Sequence, residues 1–247
     1  MTLSKKTVII TGASQGLGKI LAEKLVKEEA AIALVARSKE KLQQLQQAIN
    51  NAGGKAEAFI CDITDLSQVE KTVTEIIKKF KTIDILINNA GVWTDNDLEK
   101  TNPQKRQEAF DTNALGTIQF TQTVLPHLLK NKTGHILNVI STSGIEDTTA
   151  RDNKYWQTYG ATKWAVTGFT NALRDSLTNK NIKVTGFFPG GFDSNLYETA
   201  ERNDAHNQPW MMKTEDVADI VLFALTRPSD VQIEKIVVTK MFTHEDY

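Results

Sequence analysis

A chain of 247 residues is long enough for one α/β domain with a sizeable core, and an apolar share of 40% with a charged share of 24% is that of an ordinary globule. Net charge is −1, which leaves no electrostatic footprint for nucleic acid or an anionic membrane. The single cysteine, Cys61, excludes an internal disulfide, and apolar runs such as 83–87 are far too short to span a bilayer. Met1 leads almost directly into a strand, with no room for a signal peptide, so the cytoplasm is the expected location.

In chain order, the first strand is expected over 7–11. It runs into the turn Thr11-Gly12-Ala13-Ser14-Gln15-Gly16-Leu17-Gly18 and a helix over 17–28. Glycines spaced this way permit a tight turn and close approach of backbone to a pyrophosphate at the helix N-terminus. A second strand, 31–36, ends in Val35-Ala36-Arg37-Ser38, and Ser38 is expected to cap a helix over 39–50. Next come strand 56–60, helix 66–80 with Lys78, Lys79 and Lys81 at its solvated end, strand 83–87, and a long helix over 103–129. Strand 135–140, helix 156–178, strand 183–188, helix 214–225 and strand 235–239 complete the chain. Thr214 is expected as the N-cap of the last helix, with Glu215 and Asp216 in its first turn.

Strict alternation of this kind argues for right-handed crossovers and an α/β fold, a doubly wound parallel sheet of about seven strands with helices on both faces. Residues 1–247 are expected to form one dinucleotide-binding and catalytic domain, without linker or repeat. Two connections, 143–155 and 190–213, are long for such a fold and leave the carboxyl ends of strands, where ligands bind. The second carries Phe192, Leu196, Tyr197, Trp210, Met211 and Met212, which either close over a substrate or pack the loop onto the body.

The stretch Tyr159-Gly160-Ala161-Thr162-Lys163 places a phenol and an ammonium one helical turn apart. A phenol titrates near ~10 in isolation and a nearby cation favours its ionised form, so Tyr159 is expected as a general acid/base. His127, His135, His206 and His244 have no metal-ligand spacing, so no metal is expected. No G-x-S-x-G elbow marks a hydrolase.

Residues 11–18, Asn88-Asn89-Ala90-Gly91, Asn113, Ser141, the Tyr159/Lys163 pair and Pro189-Gly190 together resemble the short-chain dehydrogenase/reductase family in its single-domain, Rossmann-type form. The resemblance spans essentially the whole chain. It implies that Tyr159 moves a proton to or from the substrate oxygen and that Lys163 lowers the Tyr159 pKa and binds the nicotinamide ribose. It further implies that Ser141 orients the substrate oxygen, with Ser143 as its competitor, and that Asn113 supports a water-linked proton relay to the lysine. The segment Val237-Val238-Thr239-Lys240-Met241 departs from the aspartate-glycine-glycine ending of many members. The resemblance also implies a homodimer or homotetramer through the helices at 103–129 and 156–178, for which light scattering is the check.

Where a dinucleotide fold selecting NAD ends its second strand in an acid, this chain has Ala36 followed by Arg37 and Ser38, a guanidinium and a hydroxyl suited to a 2′-phosphate. The expected cofactor is therefore NADP(H) rather than NAD(H). Gln15 departs from the basic residue that many NADP-preferring members carry in the glycine turn. Further cofactor contacts implied by the resemblance come from Gly12, Ser14, Gly16, Leu17, Gly18, Asp62, Ile63, Asn89, Ala90, Gly91, Pro189, Gly190, Phe192 and Ser194.

The expected activity is that of a carbonyl reductase or alcohol dehydrogenase acting on a small-molecule carbonyl or alcohol. An epimerase-like or dehydratase-like relative and a non-catalytic nucleotide sensor are the alternatives. Trp93, Phe192, Leu196, Trp210 and Met211 are expected at the pocket rim, with Glu146, Asp147, Arg151 and Asp152 in the other long loop.

Overall fold

Seven short runs rich in Ile, Val, Leu and Ala pair into one all-parallel sheet. They are β1 (Thr7–Thr11), β2 (Ala31–Ala36), β3 (Lys55–Ile60), β4 (Ile85–Asn88), β5 (Gly134–Val139), β6 (Ile182–Pro189) and β7 (Lys235–Val238), in spatial order 3-2-1-4-5-6-7. The computed structural model describes residues 2–94, 102–145, 157–200 and 206–241. β1, β2 and β4 are buried at every position, because crossover helices cover both faces of a parallel sheet and leave no wet side.

Helices α1 (Gly16–Lys27), α2 (Lys39–Asn51) and α7 (Thr214–Leu225) cover one face, burying Leu21, Leu25, Leu42, Val217 and Val221. On the other lie α3 (Leu66–Phe80), α4 (Pro103–Ala109), α5 (Thr117–Asn131) and α6 (Gln157–Ser176), with Val73, Ile76, Phe120, Val124 and Leu173 in the core. A polar ladder crosses that second layer. Asn88 donates to Thr121 Oγ1 and to Asn138 Oδ1, both at 2.8 Å, and Asn138 donates to Thr170 Oγ1 at 2.8 Å. These bonds satisfy polar groups that would otherwise be costly to bury, and they fix β4, β5, α5 and α6 in one register.

The strand order reverses between β1 and β4, so the loops after these two strands diverge and open a crevice at their carboxyl ends.

Four details differ from expectation. The long helix expected over 103–129 is interrupted by a π-helical segment, Phe110–Gly116, between α4 and α5, a feature that pattern and propensity do not signal and that often marks functional sites. Ile83 and Asp84 lie ahead of β4, although the Asp84 backbone still donates to Thr7 O and accepts from His135 N, each at 3.0 Å, while its carboxylate accepts from the Thr7 backbone and from Lys6, each at 2.9 Å. The N-cap of α7 is Lys213, not Thr214; the Thr214 hydroxyl donates to the Asp193 carbonyl. Ser38 does stand at the N-cap of α2, but its side chain makes no capping bond.

His135, on β5, is buried between sheet and helices, with Nε2 2.8 Å from Thr185 Oγ1. Thr185 donates its own proton to Ile233 O at 2.6 Å, so its oxygen accepts and His135 carries the proton on Nε2. Burial, reinforced by nearby Lys183, pushes the imidazole down to about 3. Between about 6.5, the ordinary value, and 3 the unfolded chain therefore binds one proton more than the folded one. The contribution of this site is present in full above pH 6.5 and is lost as pH falls, by about 1.4 kcal/mol per unit. His135→Phe is expected to flatten the pH dependence of the urea midpoint between pH 6 and 4. An unchanged slope in the variant would remove the assignment.

Candidate functional site

The crevice is a cleft of about 330 Å³ running from the end of β2, across the glycine turn and the loop after β4, to the ends of β5 and β6. Its near wall follows from glycine. Gly12 (φ +65°) and Gly16 (φ +53°) adopt backbone conformations that side chains resist, and a Cβ on Gly12 would lie 2.8 Å from Ala90 Cα. Thr11 closes the same corner, its Oγ1 accepting from the backbones of Asn89 and Ala90 at 3.0 and 3.1 Å. Asn89 returns the contact by donating to the Thr11 carbonyl at 2.9 Å. The amide of Asn89 therefore staples the glycine turn to β4, while the residue itself lines the cleft.

Of the residues expected to hold a cofactor, Gly12, Ser14, Gln15, Gly16, Leu17, Arg37, Ser38, Asp62, Ile63, Asn89, Ala90, Gly91, Pro189, Gly190, Phe192 and Ser194 all line this cleft. Gly18 does not. It lies one turn into α1, where a Cβ would strike the Gly12 carbonyl, and its task is the close seating of α1 on the turn. The first turn of α1 has no side-chain cap, since Gln15 at the N-cap makes no capping bond. Its backbone N–H groups thus remain as donors toward the cleft.

At the far end Ser141, Tyr159 and Lys163 meet. Ser141 also accepts from Ser143 N at 3.1 Å, and Ser143 is not part of the lining, so the hydroxyl in the cleft is that of Ser141. Tyr159 is 8% exposed, with its ring 6.0 Å from that of Trp93. Burial pushes its phenol above the ordinary value, and the hydrogen bond with Ser141 opposes that rise. Lys163 was expected to lower the phenol, but its Nζ lies 5.4 Å from the ring centroid and donates to Val139 O at 3.3 Å. Burial pushes the Lys163 ammonium down to about 8. The phenol is consequently neutral near pH 7, with burial the larger influence on it.

Asn113 sits in the π segment behind this end, and its side chain does not reach the cleft. Its Oδ1 accepts from Val92 N at 2.8 Å and its Nδ2 donates to Val92 O at 2.9 Å and to Thr162 Oγ1 at 3.0 Å. Thr162 in turn donates to Tyr159 O at 2.7 Å. The side chain thereby ties the loop after β4 to the turn of α6 that bears Tyr159. Gly91 makes room for it, since a Cβ there would sit 3.2 Å from Asn113 Oδ1 and 3.7 Å from Lys163 Nζ.

The loop after β6 is closed at its base. Phe192 bridges Met212, with Asp193 N donating to Met212 O and Met212 N to Gly191 O, each at 3.0 Å. The ring of Trp210 occupies the space a side chain on Gly191 would need. Thr199 links this loop to the loop after β4, its Oγ1 accepting from Trp93 N at 2.7 Å. Val92, Trp93, Asn195, Leu196 and Thr199 line the cleft as well. Thr199 and Asn195 were not singled out in the sequence, because neither belongs to a spaced motif. Met211 packs with Trp93. Residues 146–156, with Glu146, Asp147, Arg151, Asp152 and Trp156, lie outside the described residues, as do 201–205 and His244. Among the described residues there is no metal-binding cluster and no helix long and apolar enough to cross a membrane.

A family model for short chain dehydrogenase matches residues 6–205. An uncharacterised oxidoreductase of Staphylococcus epidermidis is 32% identical over 236 residues, covering 96% of this chain and 97% of its own. Among solved structures, a metagenomic short-chain oxidoreductase in complex with NADP superposes with a TM-score of 0.82 at 25% identity, covering 98% of this chain and 100% of its own. A 3-ketoacyl-(acyl-carrier-protein) reductase from Brucella melitensis, complexed with NADH, gives 0.84 at 28% identity, with coverage of 96% and 98%.

Proposed function

The chain belongs to the short-chain dehydrogenase family, and from that premise we propose that it is an NADP(H)-dependent oxidoreductase interconverting a carbonyl compound and its alcohol. One observation carries the reading: a single cleft joins a glycine turn and a guanidinium at one end to Ser141, Tyr159 and Lys163 at the other. The residues present fit a dinucleotide. The glycine at position 12 lets the turn pack directly on Ala90, where a Cβ would collide, and the uncapped start of α1 offers backbone donors for a pyrophosphate. Arg37 and Ser38 would meet a 2′-phosphate, Asp62 the adenine, and Pro189, Gly190 and Ser194 the nicotinamide end. Within this reading, residues 1–247 act as one domain, and the protein works in the cytoplasm.

When bound, the nicotinamide supplies or accepts the hydride at the carbonyl carbon. Tyr159 gives its phenolic proton to the carbonyl oxygen during reduction and recovers it during alcohol oxidation. Ser141 donates to the same oxygen, fixing its orientation and stabilising charge as it develops. Lys163, buried and cationic at neutral pH, favours ionisation of Tyr159 as the proton leaves and holds the ribose hydroxyls. Asn113 keeps Tyr159 in position through Thr162, and the aromatic ring of Trp93 shields the reacting end from water. A phenol held neutral near pH 7 suits the reductive direction there, with oxidation favoured at more alkaline pH.

The test is titration of the purified protein with NADPH and with NADH, followed by nicotinamide fluorescence, and then a screen of aldehydes and ketones with NADPH. Tighter binding of NADPH, by at least about tenfold, and carbonyl-dependent loss of NADPH absorbance are expected. Binding of neither nucleotide would overturn the oxidoreductase reading. Tighter NADH would overturn the choice of cofactor.

A further inference from the structure

The adenosine end of the cleft has a neutral residue, Gln15, at the centre of the glycine turn, and Arg37 and Ser38 across from it. A phosphate monoester carries about −1.5 to −2 charges at pH 7, so one guanidinium leaves it short of neutral. The structure places a second cation within reach. Lys41, in the first turn of α2, extends its Nζ to Gln15 Oε1 at 2.6 Å, joining two elements 26 residues apart in sequence. The contact ties the ammonium to Gln15, which lines the cleft together with Arg37 and Ser38, while Lys41 itself stands outside that lining. One of its three N–H groups is engaged by Gln15, which leaves two for an anion.

The surroundings favour an anion at this point. β2 ends in Ala36, so no carboxylate stands at the strand end, and Asp62 is the one carboxylate among the described lining residues. The Ser38 hydroxyl makes no capping bond and is available to donate. Glu40, on the same turn of α2, is exposed, and the Lys41 ammonium bonds to the Gln15 amide.

We propose that Lys41 is the second cation of a 2′-phosphate site, held beside the cleft by Gln15 and supplying the charge that the glycine turn itself lacks. This rests on the reading that the protein binds NADP(H). Gln15 is then a positioning residue: its amide oxygen restrains a flexible side chain that would otherwise lose more entropy on binding. The site recognises a ribose 2′-phosphate, independently of the nicotinamide.

The test is calorimetric titration with 2′,5′-ADP and with 5′-AMP, which differ only in that phosphate, on the wild type and on Lys41→Gln, Lys41→Arg, Gln15→Ala and Arg37→Ala. Lys41→Gln is expected to weaken 2′,5′-ADP about tenfold, as loss of a charge-assisted contact does, and to leave 5′-AMP unchanged. Lys41→Arg retains most of the affinity, and Gln15→Ala falls between. Lowering the salt concentration should strengthen 2′,5′-ADP binding more in the wild type than in Lys41→Gln. Because Lys41 and Gln15 lie at the surface, the variants should melt with the wild type. If Arg37→Ala discriminates between the two nucleotides and Lys41→Gln does not, Lys41 has no part in the site. If the wild type binds both nucleotides equally, the NADP(H) reading fails and the proposal with it.

Discussion

Tyr159→Phe is expected to reduce kcat by about 10³-fold or more, while NADPH affinity and the unfolding midpoint stay close to those of the wild type. The substitution removes one oxygen from a ring that is 8% exposed and leaves the packing against Trp93 in place. What goes is the proton that must reach the substrate oxygen, a contribution of about 4 kcal/mol to the barrier. Ser141 remains and can still orient a carbonyl, so the residual rate measures orientation without proton transfer. Single-turnover absorbance at 340 nm gives the chemical step directly. A variant that turns over within tenfold of the wild type would show that another group delivers the proton.

Gly18→Ala is expected to be the most damaging of the small substitutions near the cleft, although alanine is the better helix former by about 1 kcal/mol. A methyl group there collides with the Gly12 carbonyl and lies 2.7 Å from Asn89 Nδ2 and 3.0 Å from Ala13 Cα. Two of those neighbours are backbone, and Asn89 is itself anchored to the Thr11 carbonyl. None can yield, so α1 must shift away from the turn. Overpacking of this kind costs about 1–3 kcal/mol, and the shift also takes the N–H groups of α1 out of line with a bound pyrophosphate. A lower urea midpoint and at least about a tenfold loss in NADPH affinity are the expected results. Gly168→Ala is the control. That glycine lies in α6 with nothing within 4 Å of a Cβ, and alanine there should be neutral or stabilising. Equal behaviour of the two variants would mean that α1 is not seated as described.

The strands were legible because β-branched and aliphatic runs, buried on both faces, read as strands wherever they fall. The parallel, doubly wound arrangement followed from alternation with helices. The site was legible where chemistry demands a residue type at a spacing: the glycine turn, Arg37 after β2, and Tyr159 four residues before Lys163. Long-range contacts were not. The π segment around Asn113 packs against α6, and the Asp84 carboxylate bonds to the Thr7 backbone, 77 residues away. Gly18 was expected among the cofactor contacts, and spacing alone does not reveal that it stands outside the cleft lining, packed against the Gly12 carbonyl. The electrostatics of Tyr159 went the other way from expectation because helical spacing gives proximity to Lys163 and says nothing of depth.

The sheet order has a consequence for how the chain comes to be folded. β1 lies between β2 and β4, and its pairing with β4 joins Val8 to Ile85. Until the residues of β4 exist, the edge of β1 at Val8, Ile9 and Ile10 is bare, an apolar strand with open hydrogen-bonding groups. A ribosome adding about 5–20 residues per second leaves that edge uncovered for several seconds. Every pairing in the sheet is parallel and so requires a long crossover first, which makes the search slow. The same central strand that holds the glycine turn rigid in the finished molecule is thus its point of greatest exposure to aggregation during synthesis.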